Sequence, residues 1–190
     1  YYASQLIESP QVYLNSEKKH FFEYINFSDE VLNNSTFISE LVLNYVFYLN
    51  VSEDIEVQQL LYKNAISEVL DKMNSNLKLQ SDVITTLLYT FSQQENLEII
   101  DFIIENYYNK LPDANKNRED IEPILESVKL AIGRIAPDFS WEENGELKSL
   151  YNLNISNTYV LIFWSTTCSH CIVEVPQLYD FLKDKSNITV

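Results

Sequence analysis

Between residues 36 and 132, apolar side chains return every third or fourth position through five successive stretches. That spacing is what most restricts the fold. In a helix it gathers the apolar groups on one stripe, whereas in a strand it would scatter them over both faces. A first helix is expected over 36–50, with Phe37, Leu41, Tyr45, Tyr48 and Leu49 on one face and Ser35 or Thr36 as its cap. A second is expected over 53–74. Ser52 would cap it, Glu53 and Asp54 would sit at its positive end, and Val57, Leu61, Ala65, Val69 and Met73 would face inward. The third spans 81–91, with Val83, Ile84, Leu87, Leu88 and Phe91 inward. The fourth spans 96–110, with Ile100, Ile103, Ile104, Tyr107 and Tyr108, and Leu111-Pro112-Asp113 ends it. The fifth spans 118–132, with Ile121, Ile124, Leu125, Val128 and Ala131, and Gly133 closes it. Short connections between amphipathic helices imply antiparallel neighbours in a bundle. No stretch repeats another, which argues against a solenoid.

Composition agrees. Among 190 residues there are only 2 Gly and 5 Pro, too few for a loop-rich β fold, and 46% of the chain is hydrophobic, enough for a packed core. The net charge of -15 sets the chain against nucleic acid and anionic lipid as partners. No apolar run is long enough to span a bilayer. The chain opens at Tyr1 rather than Met, as expected of a mature form whose leader was removed. Residues 1–34 are harder to read. A short helix or arm is expected over 1–7, a break at Ser9-Pro10, and an aromatic cluster over 20–27 that packs on the helices after it or forms a partner patch. His20 reads as an ordinary surface histidine. Acidic pairs such as Glu53-Asp54 and Glu119-Asp120 read as helix-start electrostatics. The sequence contains no Gly-rich phosphate loop, basic patch or His-x-x-x-His spacing.

The chemistry is confined to the last third. After a boundary near 133–137, Asp138 to Trp141 starts a hairpin, Asn144-Gly145 turns it, and Leu147 to Leu150 returns. A central buried strand is expected over 159–164, a helix over 168–183 and another strand from Ile188. Both cysteines, Cys168 and Cys171, fall where that central strand becomes the helix. The first amides of a helix have no intrahelical partner and carry partial positive charge. A thiolate there is stabilised, which lowers its pKa from about 8.5 toward roughly 3.5–7.5. Cys168 is therefore the expected nucleophile, and Cys171, more buried and one turn on, the resolving thiol that releases a mixed disulfide. His170 would favour the thiolate by charge or hydrogen bond. Glu174, half-buried one turn beyond Cys171, would take its proton. Trp164 would shield the site. Structural zinc wants four protein ligands, and too few are available here. A structural, non-exchanging disulfide is the other alternative.

Phe163-Trp164-Ser165-Thr166-Thr167-Cys168-Ser169-His170-Cys171, followed by Glu174 and Pro176, resembles the active-site segment of thioredoxin-like TlpA/ResA-type thiol–disulfide oxidoreductases. Ile132 to Phe139 resembles the entry to that domain. The resemblance implies that Cys168 attacks and Cys171 resolves, that Glu174 tunes the pair and that Pro176 kinks the helix. It also implies an extracytoplasmic setting, a bacterial periplasm or cell envelope. The peroxiredoxin pattern fails, because Leu161 and Ser165 stand at its two fixed positions. A thioredoxin fold continues past the active-site helix with further strands and a cis-proline loop. No proline follows Pro176, so the domain is expected to be cut short. Its bare sheet edge would drive a homodimer or swapped dimer, or leave the end disordered. The expected fold class is α+β, an N-terminal all-α helical bundle (1–132) followed by an incomplete thioredoxin-like α/β domain (133–190). The expected function is disulfide exchange with a protein client through Cys168, Cys171, His170 and Glu174, with no cofactor and no metal. The alternative is a non-catalytic helical interaction module carrying a truncated thioredoxin-like fragment.

Overall fold

The computed structural model describes residues 16–189. The expected arm over 1–7 and the break at Ser9-Pro10 lie outside them. The chain divides into two compact units, Tyr1–Ile135 and Ala136–Val190. The architecture is α+β, mostly helical with a small strand part.

The first unit holds α1 (Thr36–Asn44), α2 (Ile55–Lys72), α3 (Leu77–Gln93), α4 (Leu97–Asn106) and α5 (Arg118–Lys129). Helix α3 is the centre of the packing and touches α1, α2, α4 and α5. Its inward residues are those the sequence spacing selected: Val83, Ile84, Leu87, Leu88 and Phe91 are all buried. Ile66, Val69 and Leu70 of α2, Ile99, Ile100 and Ile103 of α4 and Ile121 of α5 complete the interior. Burying a large aliphatic side chain contributes about 1.5–3 kcal/mol, so this unit carries a substantial apolar core.

Helix α1 corrects the expected face. Ile38, Val42, Tyr45 and Val46 are buried, while Phe37 is exposed and Tyr48 is 72% exposed. Residues 37–49 are apolar almost all round, so two stripes of helical period coexist and periodicity alone cannot choose between them. The helix also ends differently. Tyr45–Leu49 forms a π-helical turn, and the Asn50 amide donates to the Tyr45 carbonyl at 2.8 Å, supplying a partner for a helix-end acceptor. Asp54, not Ser52, caps α2, its carboxylate accepting from the Val57 N–H at 3.0 Å. Ser52 Oγ instead accepts from the Asp54 N–H. Ser35 stands at the cap position of α1 without a side-chain cap bond. Helix α3 starts four residues earlier than expected, with Asn76 accepting from the Leu79 N–H. Helices α4 and α5 stop short of the expected ends. A 3₁₀ turn over Tyr108–Lys110 follows α4, and Gly133, at φ +91, lies in a turn beyond α5. The aromatic cluster packs as expected: Phe22 lies 4.7 Å from Tyr45 and 5.5 Å from Phe27, ring centre to ring centre. His20 is exposed beside Glu23.

The second unit contains β1 (Ser140–Glu143), β2 (Glu146–Ser149), β3 (Thr158–Tyr159), α6 (Ser169–Leu182) and β4 (Ile188–Thr189). Strands β1 and β2 pair antiparallel around Asn144 at φ 55 and Gly145 at φ 81, the left-handed pair that an Asn-Gly hairpin turn requires. Strands β3 and β4 pair in parallel over Thr158↔Ile188 and Tyr159↔Thr189. The expected strand over 159–164 is thus corrected. Pairing ends with the Val160 N–H on the Thr189 carbonyl at 2.8 Å, and Phe163 beyond it is 89% exposed. The apolar, β-branched run has strand composition but meets a two-residue partner, and a strand needs a ladder to persist. Among the described residues of this unit, Leu182 is the one large apolar side chain that is buried.

Candidate active site

The site is built by the turn that enters α6. The Cys168 N–H donates to the Ser165 carbonyl at 3.1 Å, and the Thr167 N–H donates to Ser165 Oγ at 3.3 Å. Ser165 thereby closes a turn around Thr166 and Thr167 that aims Cys168 at the helix start. Cys168 keeps an extended backbone (φ -86, ψ 105) and is the N-cap of α6. The Ile172 N–H reaches its carbonyl at 3.2 Å, the first bond of the helix, and the Cys171 N–H donates to Cys168 Sγ at 3.2 Å.

The two sulfurs are bonded to each other, with Cα atoms 5.2 Å apart, inside the span a disulfide bridges without backbone movement. Both cysteines are half-buried. A cap position gives Cys168 Sγ an amide donor already aimed at it, and a sulfur that becomes a thiolate on reduction turns that contact into a charge-assisted one. The helix contributes no acidic side chain in its first turn, so nothing there opposes negative charge on sulfur.

Comparison with protein-family models, with curated proteins and with solved structures gave no match.

His170 lies in the first turn of α6 between the cysteines and is exposed. Glu174 corrects its expectation. It is exposed rather than half-buried, because a position three residues past Cys171 points off the helix, where none of the described elements of its own unit covers it. Trp164 is 55% exposed and does not cap the disulfide from solvent. It forms instead, with Thr166, Cys171, Ile172, Val175 and Pro176, the wall of a mostly apolar cleft of about 360 Å³. Cys171, not Cys168, is the cysteine on that wall, and both cysteines are half-buried, so the expected greater burial of Cys171 is not seen. Pro176 stands inside α6, where it lacks the N–H that would bond to the Ile172 carbonyl. Sequence reasoning passed over Ser165 as a positioning residue. The signal was a serine three residues before the first cysteine, able to bond the backbone two residues on. Among the described residues no helix is long and apolar enough to cross a membrane.

Proposed function

We propose that the chain is a thiol–disulfide oxidoreductase of the thioredoxin-like kind that exchanges disulfides with a protein client. The observation that carries this is the bonded pair Cys168–Cys171 at the start of α6, with the capping sulfur already accepting an amide hydrogen bond. In the reduced protein the Cys168 thiolate attacks one sulfur of a client disulfide, and the departing client sulfur leaves as a thiolate. Cys171, once deprotonated, then attacks Cys168 and releases the reduced client, restoring the Cys168–Cys171 bond. The reverse sequence oxidises a client dithiol, and the same atoms balance in both directions. His170, in the first turn, adds positive charge near Cys168 when protonated. Glu174, in solvent, is a weaker candidate for a proton acceptor than its spacing implied. The fold assignment, the helical unit as the part that positions the client, and an extracytoplasmic setting belong to this proposal and draw their support from the sequence resemblance.

A second reading is favoured by one observation: neither His170 nor Glu174 forms a hydrogen bond to either sulfur among the described contacts. On that reading the disulfide is structural and the helical unit is an interaction module. Exchange with a small-molecule disulfide separates the two. The oxidoreductase titrates as a reversible two-electron couple, Cys168→Ser abolishes exchange, and Cys171→Ser accumulates mixed disulfides. Unchanged turnover in both variants, or a bond that reductant opens and oxidant does not restore, would refute the exchange mechanism.

A further inference from the structure

The helical unit also holds a cleft, of about 380 Å³, between the last turns of α2 and α4 and the first turn of α3. That volume suits a small molecule. Gln80 lines it, although the residue is only 5% exposed. Its Nε2 donates to the Leu70 carbonyl at 2.9 Å and to Asn74 Oδ1 at 3.1 Å. A carbonyl can only accept, so the bond to Leu70 fixes which end of the Gln80 amide is nitrogen. Oε1 is then the end left over, and it accepts no hydrogen bond among the described residues. A buried acceptor without a partner is costly, and a donor on a ligand would remove that cost. Asn106 repeats the arrangement. Its Nδ2 donates to the Phe102 carbonyl at 2.9 Å, which leaves Oδ1 as a second acceptor beside the cleft. Asp71, the one acid among the described lining residues, adds a carboxylate whose described partner is the Tyr107 hydroxyl at a long 3.4 Å. Two donors stand with these acceptors. One is Nδ2 of Asn74. The other is Lys110, which forms no ion pair among the described residues. Leu77, Leu111 and the rings of Phe102 and Tyr107, edge to face at 6.1 Å, supply the apolar part of the wall.

We infer that this cleft, with the orphaned acceptor of Gln80 at its base, binds a free α-amino acid with an apolar side chain. An ammonium group offers donors and no acceptor, which matches Gln80 Oε1, Asn106 Oδ1 and the Asp71 carboxylate. A carboxylate accepts only, which matches Lys110 and the Asn74 amide. The apolar side chain lies against Leu77, Leu111 and the two rings, whose faces also favour a neighbouring cation. The charges decide the class. A simple amine would leave Lys110 unmet, and a simple acid would meet Asp71 in a chain whose net charge is already -15. A zwitterion satisfies both ends. Every described residue of the wall falls between 67 and 111, inside the helical unit, so the inference is independent of disulfide exchange.

Titration of the full chain with L-phenylalanine and with L-leucine tests it, followed by calorimetry and by the Gln80 side-chain amide signals in NMR spectra. The expected result is saturable binding of at least one of the two, with the Gln80 amide shifting along the same curve. L-phenylalaninamide keeps the ammonium and the ring but not the carboxylate, and hydrocinnamate keeps the carboxylate and the ring but not the ammonium. Each should bind about tenfold or more weakly than L-phenylalanine. Asp71→Asn and Lys110→Met alter exposed side chains, so they leave the fold intact and weaken binding by about tenfold or more. Three results overturn the inference. Neither amino acid saturates, or the amide binds as tightly as the free amino acid, which would point to a peptide amino terminus instead, or both variants keep undiminished affinity. Alkylation of Cys168 and Cys171 in the same samples reads the redox proposal separately.

Discussion

Single residues show where local chemistry is strong enough to be read directly and where it is not. Asp54 and Asn96 each accept a hydrogen bond from a backbone N–H at the start of a helix, at 3.0 and 3.3 Å, while Ser35 occupies the same position on α1 and accepts none. Asp54→Ala and Asn96→Ala are therefore expected to cost about 1 kcal/mol each in denaturant unfolding, and Ser35→Ala close to nothing. An equal cost at all three sites would show that the caps are not what fixes these helix ends. The tyrosines give a pH signature. Burial, with a 2.5 Å hydrogen bond to Glu68 and that carboxylate's charge, pushes the Tyr45 phenol well above its ordinary value. Burial likewise raises Tyr62 and, reinforced by Asp71, Tyr107. A phenol whose folded pKa is raised holds its stabilising contribution below the unfolded value of about 10 and loses it as pH climbs from there toward the folded pKa. Stability should thus fall above about pH 10, and phenolate absorbance should show three late-titrating tyrosines whose titration coincides with unfolding. Smooth titration of all tyrosines near the ordinary value, with the fold retained, would contradict the burial described for them.

At the scale of elements, legibility followed how much of an element's environment lies within its own sequence. The β1–β2 hairpin was readable because Asn144-Gly145 prefers the left-handed backbone that the turn demands. Helix α3 was readable because one face of it alone is apolar. Helix α1 was not, since Phe37, Leu41 and Tyr48 make a stripe as convincing as the buried Ile38, Val42 and Tyr45. The strand expected over 159–164 failed for a different reason: composition states a preference for a pleated, half-buried surface, and only a pairing partner makes a strand of it. At the site, the position of Cys168 at the start of α6 could be read from the change of period, but the exposure of Glu174 and Trp164 could not, because it depends on what packs over α6. Hydrogen exchange should follow this division. Amides of α3, inside the core, are expected to exchange only through global unfolding. Those of α6, with Leu182 its one buried residue and Pro176 interrupting its ladder, should exchange orders of magnitude faster. Equal protection in α3 and α6 would mean that the second unit is packed more tightly than its exposed side chains indicate.

On the scale of the whole molecule, a well-packed acidic helical unit is joined to a lightly packed unit that holds the only two cysteines. A net charge of -15 works against thiolate formation anywhere in the chain, because accumulated negative potential raises the pKa of every acid within its reach. A reactive Cys168 must therefore owe its acidity to local donors: the Cys171 amide aimed at its sulfur, the open amides of the first turn of α6, and His170 when charged. Shielding of the global charge by salt then has a known direction. It should lower the pKa of Cys168 slightly and leave the larger local effect in place. The measurement that bears most directly on this is the pH dependence of alkylation of the fully reduced protein, with each cysteine followed separately by mass spectrometry at low and physiological ionic strength. The account predicts an apparent pKa for Cys168 well below the free-thiol value of about 8.5 at both, with Cys171 at or above that value. Two thiols that titrate together near or above about 8.5 would contradict it.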